Sequence, residues 1–204
     1  ARRICSNVTK IPMKELAQNS ASIKHGMSNE DGKIFIKEFP PATITANQLK
    51  AFIKKFEEQG IKLDAIVLDY LNLMHSTVGN NSYERIKHVT EQVRAMSYLF
   101  NCPIISATQL NRAGFDTDNP DLATISESIG LAATADAIIS IFQNEEDRGI
   151  GVIRLGMMKN RYGPRGNTQA MRIDYSTLTI EQADDIEIGE DMDDTLNVLA
   201  GLAQ

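Results

Sequence analysis

The chain holds 204 residues, 42% hydrophobic and 24% charged, which is enough to bury one substantial core and short for two. An aromatic share of 6%, no Trp and no Gly/Pro-dominated tract exclude a disordered or collagen-like chain, and no apolar run approaches the roughly 18 residues needed to cross a bilayer. The net charge of −6 is concentrated in residues 184–194, which hold seven acids and no base; the remainder sits near +1, so any contact with nucleic acid must be local, made by a few loops. Cys5 and Cys102 are far apart, and His25, His75 and His88 show no metal-ligand spacing, so neither a disulfide scaffold nor a structural zinc site is expected. The start Ala-Arg-Arg-Ile-Cys, with no initiator Met and no apolar signal segment, reads as a piece of a longer cytoplasmic protein without a membrane partner.

In chain order, Lys33 to Phe39 alternates as a strand would, and Thr45-x-x-Gln48 forms a capping-box pattern ahead of Leu49, Phe52, Ile53 and Phe56, a helix ending at Gly60. Ala65 to Leu71 is a nearly continuous apolar run, the pattern of a strand covered on both faces. Asn81 and Glu84 can cap a helix whose Ile86, Val89, Val93, Met96 and Phe100 line one face. Pro103 to Thr108 and Ala137 to Phe142 read as two more buried strands, with a small-residue helix at Ile129 to Ala135 between them. This β-α-β-α-β-α-β order predicts an α/β fold with a mostly parallel sheet and helices on its faces. Beyond residue 150, Gly151 to Met158 and Gln169 to Glu181 look extended and joined by the turn Tyr162-Gly-Pro-Arg-Gly166, adding antiparallel strands at the C-terminal end. The acidic run is expected to be a solvated linker, and Leu196, Val198 and Leu199 beyond it stand at helical spacing, so residues 184–204 divide off as linker and tail from a body at 1–183.

Ligands of open parallel sheets sit outside the carboxyl ends of the strands, which directs attention to Asp69 and Gln109. An acid closing an apolar strand is how nucleoside triphosphatases hold Mg²⁺, usually through water, although an Asp in that place also serves as an ordinary loop cap. A strand-end amide such as Gln109 is equally at home bonding a loop.

Four segments in order carry a resemblance. Ile66-Val-Leu-Asp-Tyr-Leu-Asn-Leu-Met74, Pro103-Ile-Ile-Ser-Ala-Thr-Gln-Leu-Asn-Arg112, Ser126-Glu-Ser-Ile-Gly-Leu-Ala-Ala-Thr-Ala-Asp136 and Lys159-Asn-Arg-Tyr-Gly-Pro164 together resemble the hexameric replicative DNA helicases of the DnaB type, in particular their T-even phage primosome branch, over residues 1–182. The resemblance implies a RecA-like ATPase fold, ATP and Mg²⁺ as cofactors, and a ring of six copies that unwinds duplex DNA by moving 5′ to 3′ on single-stranded DNA. A primase and a helicase loader are the further partners implied, in the replisome of a phage-infected bacterial cell. It makes Asp69 the Walker B carboxylate that orients Mg²⁺ through water, and Gln109 the group that senses the γ-phosphate and moves the following loop. Arg112, Glu127, Ser128 and Ile129 fall in the DNA-facing segment, and Lys159 and Arg161 become the basic pair that enters the nucleotide site of the adjacent subunit. Each has a plainer reading as surface loop or solvated hairpin tip.

Two departures stand out. The phosphate-binding loop G-x-x-x-x-G-K-[ST] occurs nowhere: at the sole Gly-Lys pair, Gly32-Lys33, Met27 stands where a Gly is required and Ile34 where Ser or Thr should be. The catalytic glutamate of the family is missing with it, so the chain reads as the C-terminal part of such an ATPase domain and as inactive alone. Ser126 replaces an Arg common in bacterial relatives, which favours backbone N–H contacts to DNA there. A RecA-type recombinase and a non-catalytic interaction module are the competing expectations.

Overall fold

The computed structural model describes residues 2–28, 32–109, 129–166 and 168–183. The expected acidic linker and tail at 184–204 therefore lie outside the described residues. The chain divides into two compact units: Glu38–Ile138 with Met158–Tyr162, and Ala1–Lys37 with Ile139–Met157 and Gly163–Gln204.

In the first unit, helix α3 (Ala46–Glu58) begins at Thr45, whose side chain accepts from the Gln48 backbone N–H while the Gln48 side chain accepts from the Thr45 N–H. Strand β1 (Ile66–Leu68) leads through a 3₁₀ turn (Leu71–Leu73) to helix α4 (Ser82–Phe100). Asn81 caps α4 by accepting from Glu84 N at 2.8 Å, and Glu84 returns a carboxylate to Asn80 N at 2.8 Å. The helix stops at Asn101, which takes the left-handed conformation that Asn tolerates. Ile86, Val89, Val93, Met96 and Phe100, spaced three or four apart, form one apolar stripe against Ala46, Leu49 and Ile53 of α3 and Ile66 of β1. Phe39, Phe52 and Phe56 pack edge to face beside it, with centroids 5.6 and 5.5 Å apart. Strand β2 (Ile104–Ser106) runs parallel to β1 in the register Ile66↔Ile104 and Leu68↔Ser106, and helix α5 (Ile129–Thr134) packs on α4.

The second unit holds α1 (Arg2–Thr9) and α2 (Ser20–Ser28), neither signalled by apolar periodicity, together with α6 (Glu145–Gly149). Gly26 allows α1 and α2 to approach, since a Cβ there would stand 3.0 Å from Thr9 Cγ2. Strands β3 (Ala137–Phe142), β4 (Val152–Asn160), β5 (Thr168–Asp174) and β6 (Thr179–Gln182) form a four-stranded sheet in the order β3-β4-β5-β6, β3 and β4 contributing residues to both units. Gly156 sits where a Cβ would meet Ser140 Oγ at 2.7 Å, so the close approach of these two positions requires glycine.

This arrangement corrects the expected mostly parallel sheet. The parallel part is the two-stranded β1-β2 pair, whereas β4 pairs antiparallel with β5 and β5 antiparallel with β6 in the larger sheet. The reason lies in the connections: parallel neighbours need a crossover of a dozen or more residues, and residues 161–167 and 175–178 are long enough only to turn the chain back. The expected strand at Lys33–Phe39 carries no ladder, and the apolar runs are not covered on both faces. Ile66 is buried on the α4 side, while the alternating positions Val67 and Ile105 are 70% and 57% exposed.

Candidate functional site

Asp69 and Gln109 close β1 and β2. Because those strands are parallel neighbours with Leu68 opposite Ser106, both residues lie at the same, carboxyl-terminal edge, and both side chains are exposed. Ser106 ties this edge together: its hydroxyl accepts from Leu71 N at 3.0 Å and donates to the Leu68 carbonyl at 3.0 Å, so the turn that carries Asp69 is fastened to the strand that leads to Gln109. Asn72 Nδ2 donates to Thr108 Oγ1 at 3.4 Å as a second, longer link. Asn72 Oδ1 is buried with no hydrogen-bonding partner among the described residues. The polar groups at this edge are a carboxylate, hydroxyls and amides, hard oxygen donors of the kind Mg²⁺ takes alongside water and phosphate. Among the described residues there is no group of three or more His, Cys, Asp or Glu that could hold a metal alone, so Asp69 could supply one oxygen ligand and not a cage.

Lys159 and Arg161 come together at a second place, the junction between α5 and β3. Lys159 Nζ donates to the carbonyls of Ala132 at 2.7 Å and Ala133 at 3.0 Å, satisfying acceptors that the last turn of α5 leaves open, where a cation also suits the helix dipole. Arg161 donates from its backbone N to the Asp136 carbonyl at 2.8 Å and from Nη1 to Asp136 Oδ1 at 2.8 Å. The same Oδ1 accepts from Arg94 Nη2 at 2.9 Å, and Arg94 also donates to the Thr134 carbonyl and to the Tyr98 hydroxyl. Hydrogen bonds to Tyr98 and then to Asp136 raise the Arg94 pKa above the ordinary value, so this guanidinium is a permanent charge.

Sequence reasoning missed Asp136, Arg94 and Ser106. The one available signal was Asp136 itself, an acid directly before the apolar run of β3; nothing local marks Arg94 as its partner 42 residues away. Of the expected DNA-facing residues, Arg112, Glu127 and Ser128 lie outside the described residues, and Ile129 is placed only as the first residue of α5.

Comparison with known proteins identifies the family and the fold. The family model for the DnaB-like helicase C-terminal domain matches residues 1–178. The chain belongs to that family. It is 25% identical over 139 residues to the DnaB-like replicative helicase of Enterobacteria phage T4, covering 66% of this chain and 29% of that protein. It is 29% identical over 149 residues to a probable replicative DNA helicase of Trieres chinensis, covering 66% and 32%. The chain thus spans about a third of the length of these relatives. Its fold matches the ATPase domain of G40P at a TM-score of 0.74 and 18% identity, over 89% of this chain and 69% of that one. It also matches a DnaB-like replicative helicase solved in a study of its interactions with primase, at a TM-score of 0.74 and 17% identity, over 90% and 48%. The fold is therefore the RecA-like one of DnaB-type ATPase domains.

Proposed function

We propose that this chain supplies the Asp–Gln half of an ATP-driven motor in a replicative DNA helicase, and the basic pair that completes the nucleotide site of a neighbouring copy. The observation that carries the reading is the placement of Asp69 and Gln109 at the carboxyl ends of adjacent parallel strands, with Ser106 of one strand bonded to Leu68 and Leu71 on either side of Asp69. Asp69 would hold Mg²⁺ through water, and Mg²⁺ bound with ATP supplies neutralisation of the phosphate oxygens during transfer. Gln109 can bond the γ-phosphate or the attacking water through one end of its amide. Any shift of Gln109 is passed to the segment from Arg112 to Ile129, which in this reading grips single-stranded DNA, with Glu127 and Ser128 beside it, as the motor moves 5′ to 3′.

Lys159 and Arg161 act on the phosphates bound by the next copy, which makes the working protein an oligomer, a ring of six in this reading. An arginine supplied in trans stabilises charge on the transferring phosphoryl group and contributes about 10³ to 10⁵ in rate. Primase and a loader are the macromolecular partners proposed beside DNA and self. The phosphate-binding loop is absent from this sequence, so ATP turnover is assayed in a polypeptide that carries these residues together with such a loop. There, Asp69→Ala and Arg161→Ala should each assemble and lose most hydrolysis, and mixing the two should restore part of it through interfaces that pair an intact Asp69 with an intact Arg161. Normal hydrolysis by Arg161→Ala rings would remove the trans role.

A further inference from the structure

Three basic side chains from different elements converge on residues 132–136: Lys159 on the carbonyls of Ala132 and Ala133, Arg94 on Thr134 and Asp136, and Arg161 on Asp136. Asp136 is the centre. Its Oδ1 accepts two guanidinium groups at once, and its backbone carbonyl also accepts the Arg161 N–H. Such an arrangement could be a stability device, but Asp136 and Arg161 are 41% and 42% exposed, and ion pairs that open to water contribute little to folding. What the arrangement does well is fix direction. Arg161 is tethered at both ends, by its backbone N and by Nη1, to one residue, and that residue is itself held from α4 by Arg94. An arginine pinned at one nitrogen keeps its planar fork in a set orientation, with less rotamer freedom left to lose when it meets a phosphate. Without the carboxylate, two guanidinium groups would face each other with no anion between them and repel.

We infer that Asp136 is a positioning residue for Arg161: with Arg94 behind it, it sets the guanidinium in the orientation from which it reaches a phosphate outside its own subunit. This inference rests on the proposed trans role of Arg161. Asp136 touches no reacting atom and acts only through that side chain.

The test is a double-mutant cycle on ATP turnover, in a polypeptide carrying the phosphate-binding loop, with ring assembly followed by size-exclusion chromatography. Asp136→Ala should lower kcat about 10- to 100-fold, the range for a catalytic group held slightly out of place, with the KM for ATP nearly unchanged. In an Arg161→Ala background the same change should have no further effect on kcat, because the residue through which Asp136 acts is gone. Asp136→Asn keeps an acceptor oxygen and loses the charge, and should fall between wild type and Asp136→Ala; it replaces the Ala variant in the cycle if that protein does not assemble. Normal kcat in whichever of these variants assembles, with Arg161→Ala still inactive, would overturn the positioning role and leave the trans role standing. A rise in kcat would overturn it as well, since Asp136 would then be sequestering Arg161. A further loss in the Arg161→Ala background would show a role not exercised through Arg161. Normal turnover by Arg161→Ala itself would sink the trans role, and this inference with it.

Discussion

Removing the Asp147 carboxylate should cost the β3–β6 unit much of its stability. Asp147 lies in α6, where it serves the capping box of Asn144, and it accepts two hydrogen bonds from Arg154 of β4, Nε at 2.8 Å and Nη2 at 2.9 Å. Its side chain is 3% exposed and that of Arg154 is 19% exposed, so this is a buried, bidentate pair. Deleting one member of such a pair costs about 3–5 kcal/mol because the other charge loses a buried bidentate partner; with Arg154 partly open to water, about 3 is the reasonable figure. For a chain of this size that is a fall in Tm of about 6–12 °C, read by circular dichroism on Asp147→Ala. The sign of the pH dependence follows from the hydrogen bonds and charge of Arg154, which hold the Asp147 pKa below its ordinary value against the opposing effect of burial. A carboxylate whose folded pKa is depressed gives stability that is fully present above the unfolded pKa of about 3.9 and is lost as pH falls through the folded pKa. The gap in Tm between wild type and Asp147→Ala should therefore be constant at neutral pH and close progressively below about pH 4. Replacing both partners, Asp147→Ala with Arg154→Leu, should recover much of the loss. A single variant melting within a degree or two of wild type, or a gap that does not narrow at all below about pH 4, would refute the reasoning.

Two further outcomes concern the site. Gln109→Ala, in a polypeptide with the phosphate-binding loop, should retain nucleotide binding and ring assembly while losing stimulation of ATP turnover by single-stranded DNA; wild-type stimulation would exclude Gln109 from coupling. The 204-residue chain itself should give no stoichiometric heat of MgATP binding in a calorimeter, because no G-x-x-x-x-G-K-[ST] backbone cradle is present in its sequence. Tight binding there would mean the nucleotide site is elsewhere.

Helices with local caps were legible in the sequence. Thr45 with Gln48 and Asn81 with Glu84 are four-residue signals, and each stands where the reading put it. The antiparallel return of Gly151 to Met158 on the following extended segment was legible from the turn Tyr162 to Gly166, but the placement of Ala137–Phe142 in that sheet and apart from β1 and β2 was not, because an apolar run states that a segment is hydrophobic without naming its neighbour. The connections decide pairing, and their shortness between β4, β5 and β6 outweighs the alternation of strand and helix signals earlier in the chain. Helices α1 and α2 escaped notice for a different reason: the buried residue of α1 is Ser6, which donates its hydroxyl to the Ile11 carbonyl at 2.7 Å, so its inner face carries no apolar stripe. Asp69 and Gln109 could be named as candidates from the sequence because a polar residue closing an apolar run is marked by position alone. Asp136 acquires meaning only once residues 94, 136 and 161 are brought together, and no spacing rule spans those intervals.

The two carboxylate–arginine networks use the same chemical groups and should behave oppositely, because exposure sets what such a contact is worth. Around Asp147 the carboxylate itself is shut off from water, the attraction is less screened, and its loss removes the bidentate anion bonded to Arg154. Around Asp136 water reaches all three partners, each pair contributes only ~0–1 kcal/mol, and the melting temperature should hardly register its removal. Orientation does not scale with that energy. A guanidinium turned by one rotamer is lost to a phosphate a few ångströms away even when the change leaves the folded state as stable as before. Below the melting transition, then, Asp147→Ala should lower Tm and spare kcat, while Asp136→Ala should spare Tm and lower kcat, and this crossed pattern separates a contact that holds the fold from one that aims a side chain.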